Sequence, residues 1–280
     1  PNLQPVSADY TQAQVCDVLN ISFSTLRSWN RKNTLKPYRS TNSGIDLYSI
    51  DDLKKFDAFQ AIVNSRWFDE LGTQPVETFN SIELFAGAGG LALGLEKAGF
   101  NSVLLNEVDK DCCATLRLNR PQWNVLEQDI QHVDFTPYRE LDVSFLSGGS
   151  PCQSFSSAGL KKGFDDVRGT RVFDFFRAVR DVQPNVVLFE NVSNLPKMEG
   201  VLDTLTRIFN QLGYSIDYRV IKSSLYAVPQ KRERFFIVAI KNEFSHHQFS
   251  WPDPNPTLFS LRDALKAGRL YPDDVKQSLG

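Results

Sequence analysis

Cysteine is scarce in this sequence, and the few present do not fall into a framework. Cys16, Cys112, Cys113 and Cys152 stand at spacings that suit neither a disulfide-stapled mini-domain nor a tetrahedral zinc site. A reducing, cytoplasmic compartment is therefore expected, and no metal. Long apolar runs are missing, since every hydrophobic stretch is short and broken by charges, so no membrane partner is expected. The N-terminus lacks the pattern of a secretory signal. An excess of positive charge is lacking too: 31 Lys and Arg against 33 Asp and Glu give a net charge of −2. A nucleic-acid partner would then have to be gripped by local basic clusters, or by a region outside this sequence. No internal repeat or low-complexity tract is visible. The 280 residues, 41% hydrophobic, suffice for one sizeable α/β domain and a small accessory one.

The first segment, residues 1–70, reads as small and mostly helical. Val15, Val18 and Leu19 share one helix face, Asn20 closes that helix, and Ser22 or Ser24 caps the next. Leu26 and Trp29 give the second helix its buried side, with Arg27 and Arg31 outward. An extended stretch from Leu35 turns at Asn42-Ser43-Gly44 and returns through Asp46–Ser49. Ser49 then caps a third helix expected from Ile50 to about Asn64. Helix, tight turn, helix and small wing is the helix-turn-helix plan. The run from Tyr10 to Phe56 is similar to the winged helix of MerR-type and excisionase-type regulators. Arg27, Arg31, Lys32 and Arg39 are its candidate DNA contacts, against the alternative of solvated surface charge.

Residues 71–80, polar and holding Gly72 and Pro75, read as a linker. From Ser81 the pattern becomes an alternation of short apolar strands and helices, which predicts a mostly parallel, Rossmann-like sheet covered on both faces over residues 81–280. A pair among the late strands, Ser215–Ile221 and Arg234–Ile240, is expected to be antiparallel.

Four motifs carry the chemistry. Glu83-Leu84-Phe85-Ala86-Gly87-Ala88-Gly89-Gly90-Leu91-Ala92 is a strand running through a glycine-rich turn into a helix, with Glu107 about twenty residues on. It points to an adenosyl cofactor and leaves NAD and S-adenosylmethionine both open, since either carries a ribose that a strand-end acid can bind. Asp129 is either an acceptor for an adenine amino group or a helix cap. Gly148-Gly149-Ser150-Pro151-Cys152-Gln153 follows the fourth strand, where Cys152 is a candidate nucleophile. Glu190-Asn191 ends the next strand, and a protonated Glu190 there would donate to a ring nitrogen. Gln230-Lys231-Arg232-Glu233-Arg234 places two arginines two apart on extended chain, suited to an exocyclic carbonyl and a phosphate.

In this order and spacing, the four motifs resemble the ordered set of the DNA cytosine-C5 methyltransferases, over Ser81 to about Ala267. The resemblance implies S-adenosylmethionine as methyl donor, S-adenosylhomocysteine as product, and double-stranded DNA as substrate. It places Phe85, Ala86, Gly87, Gly89, Gly90, Leu91, Glu107, Val108, Asp129, Ile130 and Pro151 around the cofactor. It gives Cys152 the attack on C6 of a flipped-out cytosine, Glu190 the contact to N3, Asn191 the ordering of the loops around Pro151 and Cys152, and Arg232 and Arg234 the hold on the base and its phosphate neighbourhood. Gln153, Ser154, Ser156, Lys161, Lys162 and Gln230 would face DNA, with Ser154–Arg171 as a lid. Arg171 stands where the family tends to have Leu beside the cofactor. No counterpart of the family's target-recognition region and last motifs is visible. The expectation is therefore a split or truncated restriction-modification enzyme of bacterial or phage origin, associated with the nucleoid, whose second polypeptide supplies them. The alternative is a DNA-binding transcriptional regulator with an inactive or secondary methyltransferase domain. A transfer-RNA methyltransferase of the same family is a third reading, against which the helix-turn-helix speaks.

Overall fold

The computed structural model describes residues 9–75, 77–151, 171–244, 249–256, 258 and 261. They form two compact units, each treated by itself.

The first unit comprises residues 9–73, Lys222–Arg232 and the described residues from 250 onward. Strand β1 (Asp9–Thr11) leads into α1 (Gln12–Leu19) through a capping box, in which Thr11 Oγ1 accepts from the Gln14 amide and Gln14 Oε1 from the Thr11 amide. Asn20 ends α1 in the left-handed conformation, and Ser22, not Ser24, caps α2 (Phe23–Arg31). β2 (Arg39–Ser40) and β3 (Asp46–Ser49) follow, in an antiparallel sheet of order β1-β3-β2. The single helix expected from Ile50 to Asn64 is instead two, α3 (Ile50–Leu53) and α4 (Asp57–Val63). Phe56 between them is extended, and its ring stacks on Trp29 at 5.4 Å, so packing overrides the helical pattern there. A short α5 (Trp67–Gly72) reaches into the stretch read as linker. Tyr10, Val15, Leu26, Leu35, Tyr48, Leu53, Phe59 and Ile62 form the core.

The second unit is built on a seven-stranded sheet. Its elements run β4 (Asn80–Leu84), α6 (Gly90–Lys97), β5 (Asn101–Glu107), α7 (Lys110–Asn119), β6 (Val125–Glu127), β7 (Val143–Gly148), α8 (Arg171–Val182), β8 (Val186–Val192), α9 (Val201–Gln211), β9 (Tyr214–Lys222) and β10 (Glu233–Lys241). The strand order is β6-β5-β4-β7-β8-β10-β9. Pairs from β6 to β8 are parallel, and β10 runs antiparallel to β8. Leu104 and Leu105 show why both faces are covered. Successive strand residues point to opposite faces, and these two enter different clusters. Leu104 joins the large core with Phe175, Phe176, Phe189 and Phe209, while Leu105 joins Ala92 and Leu116 of α6 and α7. The chain proceeds from β4 to one side and from β7 to the other. This switch point is where sheets of this kind leave a crevice at their carboxyl ends.

Candidate active site

At the end of β4 the backbone turns sharply. Phe85 takes a left-handed φ of 56°, uncommon for a residue with a side chain and a mark of local constraint. Gly89 has φ 90°, and a Cβ there would lie 2.6 Å from Leu116 Cδ2, so only glycine lets the turn pass over α7. Among the described residues no side-chain hydrogen bond caps α6, whose first amides can therefore meet an anionic group. Glu107, ending β5, braces the turn: Oε2 accepts from the Gly87 amide at 2.7 Å, and Oε1 from Val108 and Asp109 at 2.8 and 2.9 Å. A carboxylate has about four lone pairs, so these bonds fix its orientation and still leave room for a hydroxyl.

Phe85, Glu107, Val108, Asp129, Ile130 and Pro151 line one cleft, together with Asn106, Gln128 and Arg171. Ala86 is buried with Ala92, Leu105 and Leu116, and Gly87, Gly89, Gly90 and Leu91 belong to the turn and the first turn of α6. Asn106 and Gln128 escaped the sequence reading. The signal was an amide interrupting the apolar run of β5: buried Asn106 donates to the carbonyls of Gln128 (2.8 Å) and Leu126 (3.3 Å), tying two strand ends together. Asp129 both caps the turn at Ile130–His132, accepting from the Gln131 amide at 3.0 Å, and receives both arms of Arg171 at 2.7 and 2.9 Å. The Gln131 amide and, after it, the guanidinium hold its carboxyl below the usual range. The donor set fits an adenosyl group: an acid braced at one strand end, a second acid at the next, an exposed Val108 between them and an open helix N-terminus. Among the described residues no cluster of His, Cys, Asp and Glu suits a metal ion.

The other half of the site lies at β7, β8 and β10. Along β8, Phe189 and Asn191 are buried, while Glu190 faces the opposite side. In the β8–β10 register Arg234 stands opposite Val192 and Phe236 opposite Glu190, which makes Arg234 and Glu190 diagonal neighbours on one face. Arg234 Nε lies 2.9 Å from Glu190 Oε1. Gly149 abuts the same carboxylate, since a Cβ on it would lie 2.5 Å from Glu190 Oε2. Asn191 Nδ2 donates to the Ser150 carbonyl at 2.8 Å, pinning the chain two residues ahead of Cys152. Glu83 of β4 is buried on the sheet, its Oε2 has no hydrogen-bond partner among the described residues, and burial raises its carboxyl to about 8. Cys152, Gln153, Ser154, Ser156, Lys161 and Lys162 lie outside the described residues.

Gln230 and Arg232 belong to the first unit. Arg27, Arg31 and Lys32 are exposed at and just past the solvent side of α2, whereas Arg39 is ion-paired to Asp9, which Tyr38 also binds. Among the described residues no helix is long and apolar enough to cross a membrane.

Residues 79–277 match the C-5 cytosine-specific DNA methylase family, and the chain belongs to it. It is 45% identical over 282 residues to Type II methyltransferase M.Eco47II of Escherichia coli, covering 99% of this chain and 67% of that protein. It is 44% identical to Type II methyltransferase M.PspPI of Psychrobacter sp. (strain TA137), covering 97% and 66%. The chain thus spans about two thirds of the length of these relatives. A solved structure of a candidate DNA modification methyltransferase encoded within an E. coli prophage superimposes with a TM-score of 0.57 at 28% identity, over 70% of this chain and 56% of that one.

Proposed function

We propose that this chain is the catalytic part of a restriction-modification methyltransferase, which moves a methyl group from S-adenosylmethionine to C5 of a cytosine flipped out of DNA. The observation that carries the reading is the Glu190–Arg234 pair at the carboxyl edge of the sheet, beside Gly149 and on the strand whose Asn191 holds Ser150. When bound, the cofactor supplies an electrophilic methyl on its sulfonium. The Cys152 thiolate adds to C6, Glu190 serves N3 with a proton, and C5 becomes nucleophilic enough to take the methyl. A solvent water then takes the C5 proton as the thiolate leaves C6, and the N3 proton returns to Glu190, which restores the aromatic ring. Arg234 keeps Glu190 oriented, and Arg232 and Arg234 hold the base and its phosphate neighbourhood. Asn191 presents the loop before Cys152, Glu107 holds the ribose hydroxyls and Asp129 the adenine amino group.

The first unit is read as a winged helix-turn-helix that touches DNA through Arg27 and Arg31 on α2. The pairing of Arg39 with Asp9 makes it the weaker contact. Target recognition is assigned to the region that corresponds to the remaining third of the relatives' length, carried by the same protein or by a second polypeptide.

The test is transfer of labelled methyl to unmethylated mixed-sequence DNA, by this chain alone and with the polypeptide encoded beside it, using Cys152→Ala as control. Transfer only with the neighbour, and lost in the variant, is the expected outcome. Transfer by this chain alone removes the second polypeptide from the proposal, and transfer that survives in Cys152→Ala removes the mechanism.

A further inference from the structure

The connection from β9 to β10 is long for strands that lie side by side. Directly joined neighbours commonly need about two to five linking residues, whereas everything from Ser223 to Arg232 intervenes here. This excursion carries Gln230 and Arg232, and it packs within the first unit.

It is fastened there along its length. At its start Lys222 Nζ donates to the Asp17 carbonyl at 3.0 Å and to Asn20 Oδ1 at 2.8 Å. Both acceptors belong to the last turn and cap of α1, where open carbonyls and the helix dipole favour a cation. In its middle, Leu225 packs against the Tyr10–Tyr48 core, and its carbonyl accepts from the Asn255 amide at 2.7 Å. Tyr226 sets its ring 5.8 Å from that of Trp67 and donates its hydroxyl to the Pro252 carbonyl at 3.2 Å. Its ends are tied together by the Ser223 amide donating to the Arg232 carbonyl at 2.9 Å. Two residues further along the chain stands Arg234, the partner of Glu190.

We infer that the N-terminal unit positions the arginine motif for the target base, and that Lys222 is the positioning residue that fastens the excursion to α1. The inference rests on the methyltransferase reading for what the arginines hold, and goes beyond it in giving the N-terminal unit a part in the reaction. The physical reason is preorganisation. Ordering a free backbone costs conformational entropy at every residue, and an excursion ordered only when DNA arrives would draw that from binding. Packing on a folded unit settles it beforehand. A merely stabilising contact would affect unfolding and leave the reaction alone.

The experiment uses the full chain, together with whatever polypeptide its activity requires, as wild type, Lys222→Met, Lys222→Arg and Leu225→Ala. Amide hydrogen exchange over residues 223–232, S-adenosylmethionine affinity and methyl transfer to DNA are measured at a temperature where thermal melts show every variant folded. The expected result for Lys222→Met is exchange in 223–232 faster by about tenfold, the scale of losing one charged hydrogen bond. A similar fall, about tenfold, is expected in kcat/KM for DNA, with cofactor affinity unchanged. Lys222→Arg restores both, and Leu225→Ala reproduces the loss through a different contact. Exchange unchanged in Lys222→Met, or raised with no change in transfer to DNA, overturns the inference, as does cofactor affinity falling in step with transfer. A wild type that transfers nothing to DNA under any condition defeats the methyltransferase reading and the reactive role of Lys222 with it, while the exchange measurement still decides whether the residue holds the excursion.

Discussion

Two glycine-bearing turns stand at neighbouring strand ends, and glycine serves a different purpose in each. In the turn after β4, Gly89 is required by conformation, with φ 90° and a left-handed Phe85 shortly before it. At the end of β7 and just after it, Gly148 and Gly149 are not among the positive-φ residues, and it is the atoms packed against them that a side chain would meet. A Cβ on Gly148 would lie 2.7 Å from the Leu84 carbonyl, and one on Gly149 would lie 2.5 Å from Glu190 Oε2. The first turn sets its backbone beside the cleft lined by Phe85 and Glu107, while the second brings the chain against the Glu190 carboxylate.

Four substitutions sharpen or break this contrast. The largest effect is expected from Glu190→Gln, which keeps the size of the side chain and removes its proton exchange and its ion pair with Arg234. The methyl-transfer kcat should fall by about 10²–10⁴ with S-adenosylmethionine affinity unchanged, read by single-turnover kinetics beside equilibrium binding. Lost cofactor affinity would show that the two halves of the site are not separable. Next comes Gly148→Ala, which forces a side chain against backbone that cannot yield. It should cost roughly 2–3 kcal/mol in chemical denaturation, and a neutral result would mean that the strands part easily.

Glu83→Gln tests the β4 side. The carboxyl titrates at about 8 when folded and at an ordinary 4.5 when unfolded, so the folded protein binds a proton that the unfolded chain has released between those values. Its contribution is fully present below about pH 4.5 and is lost as pH rises through about 8. The stability of Glu83→Gln relative to wild type should therefore rise across that window. Parallel pH profiles for the two proteins would show that Glu83 is not held neutral. The smallest effect is expected from Gly149→Ala. The flexible end of Glu190 can swing aside, so melting should hardly change while kcat drops by about tenfold, near 1.4 kcal/mol. A fall in melting temperature with kcat preserved would mean that the loop moves instead of the carboxylate.

Much of this was legible before any coordinates. The alternation of strands and helices read from Ser81 onward is the observed one, because burial on both faces of a mostly parallel sheet leaves few other patterns, and the late strands read at Ser215–Ile221 and Arg234–Ile240 are β9 and β10 with one more residue at each end. Gly89 and Glu107 could be read as a pair because their roles are local: a turn that needs positive φ, and an acid at the next strand end. The break at Phe56 was not legible, because a helical pattern continues through it and only the stack on Trp29 interrupts it. Nor were Asn106 and Gln128, whose value lies in bonds between strands.

The sequence by itself determined the family, the order of the strands along the chain and the residue types at each strand end, since these follow from periodicity and motif order. Only the tertiary structure decided that Arg171 grips Asp129, that Arg234 grips Glu190, and that the stretch bearing Gln230 and Arg232 packs within the N-terminal unit. Those pairings join residues far apart in the chain. No local preference encodes them, and they arise when strand register and packing bring opposite charges and apolar surfaces together.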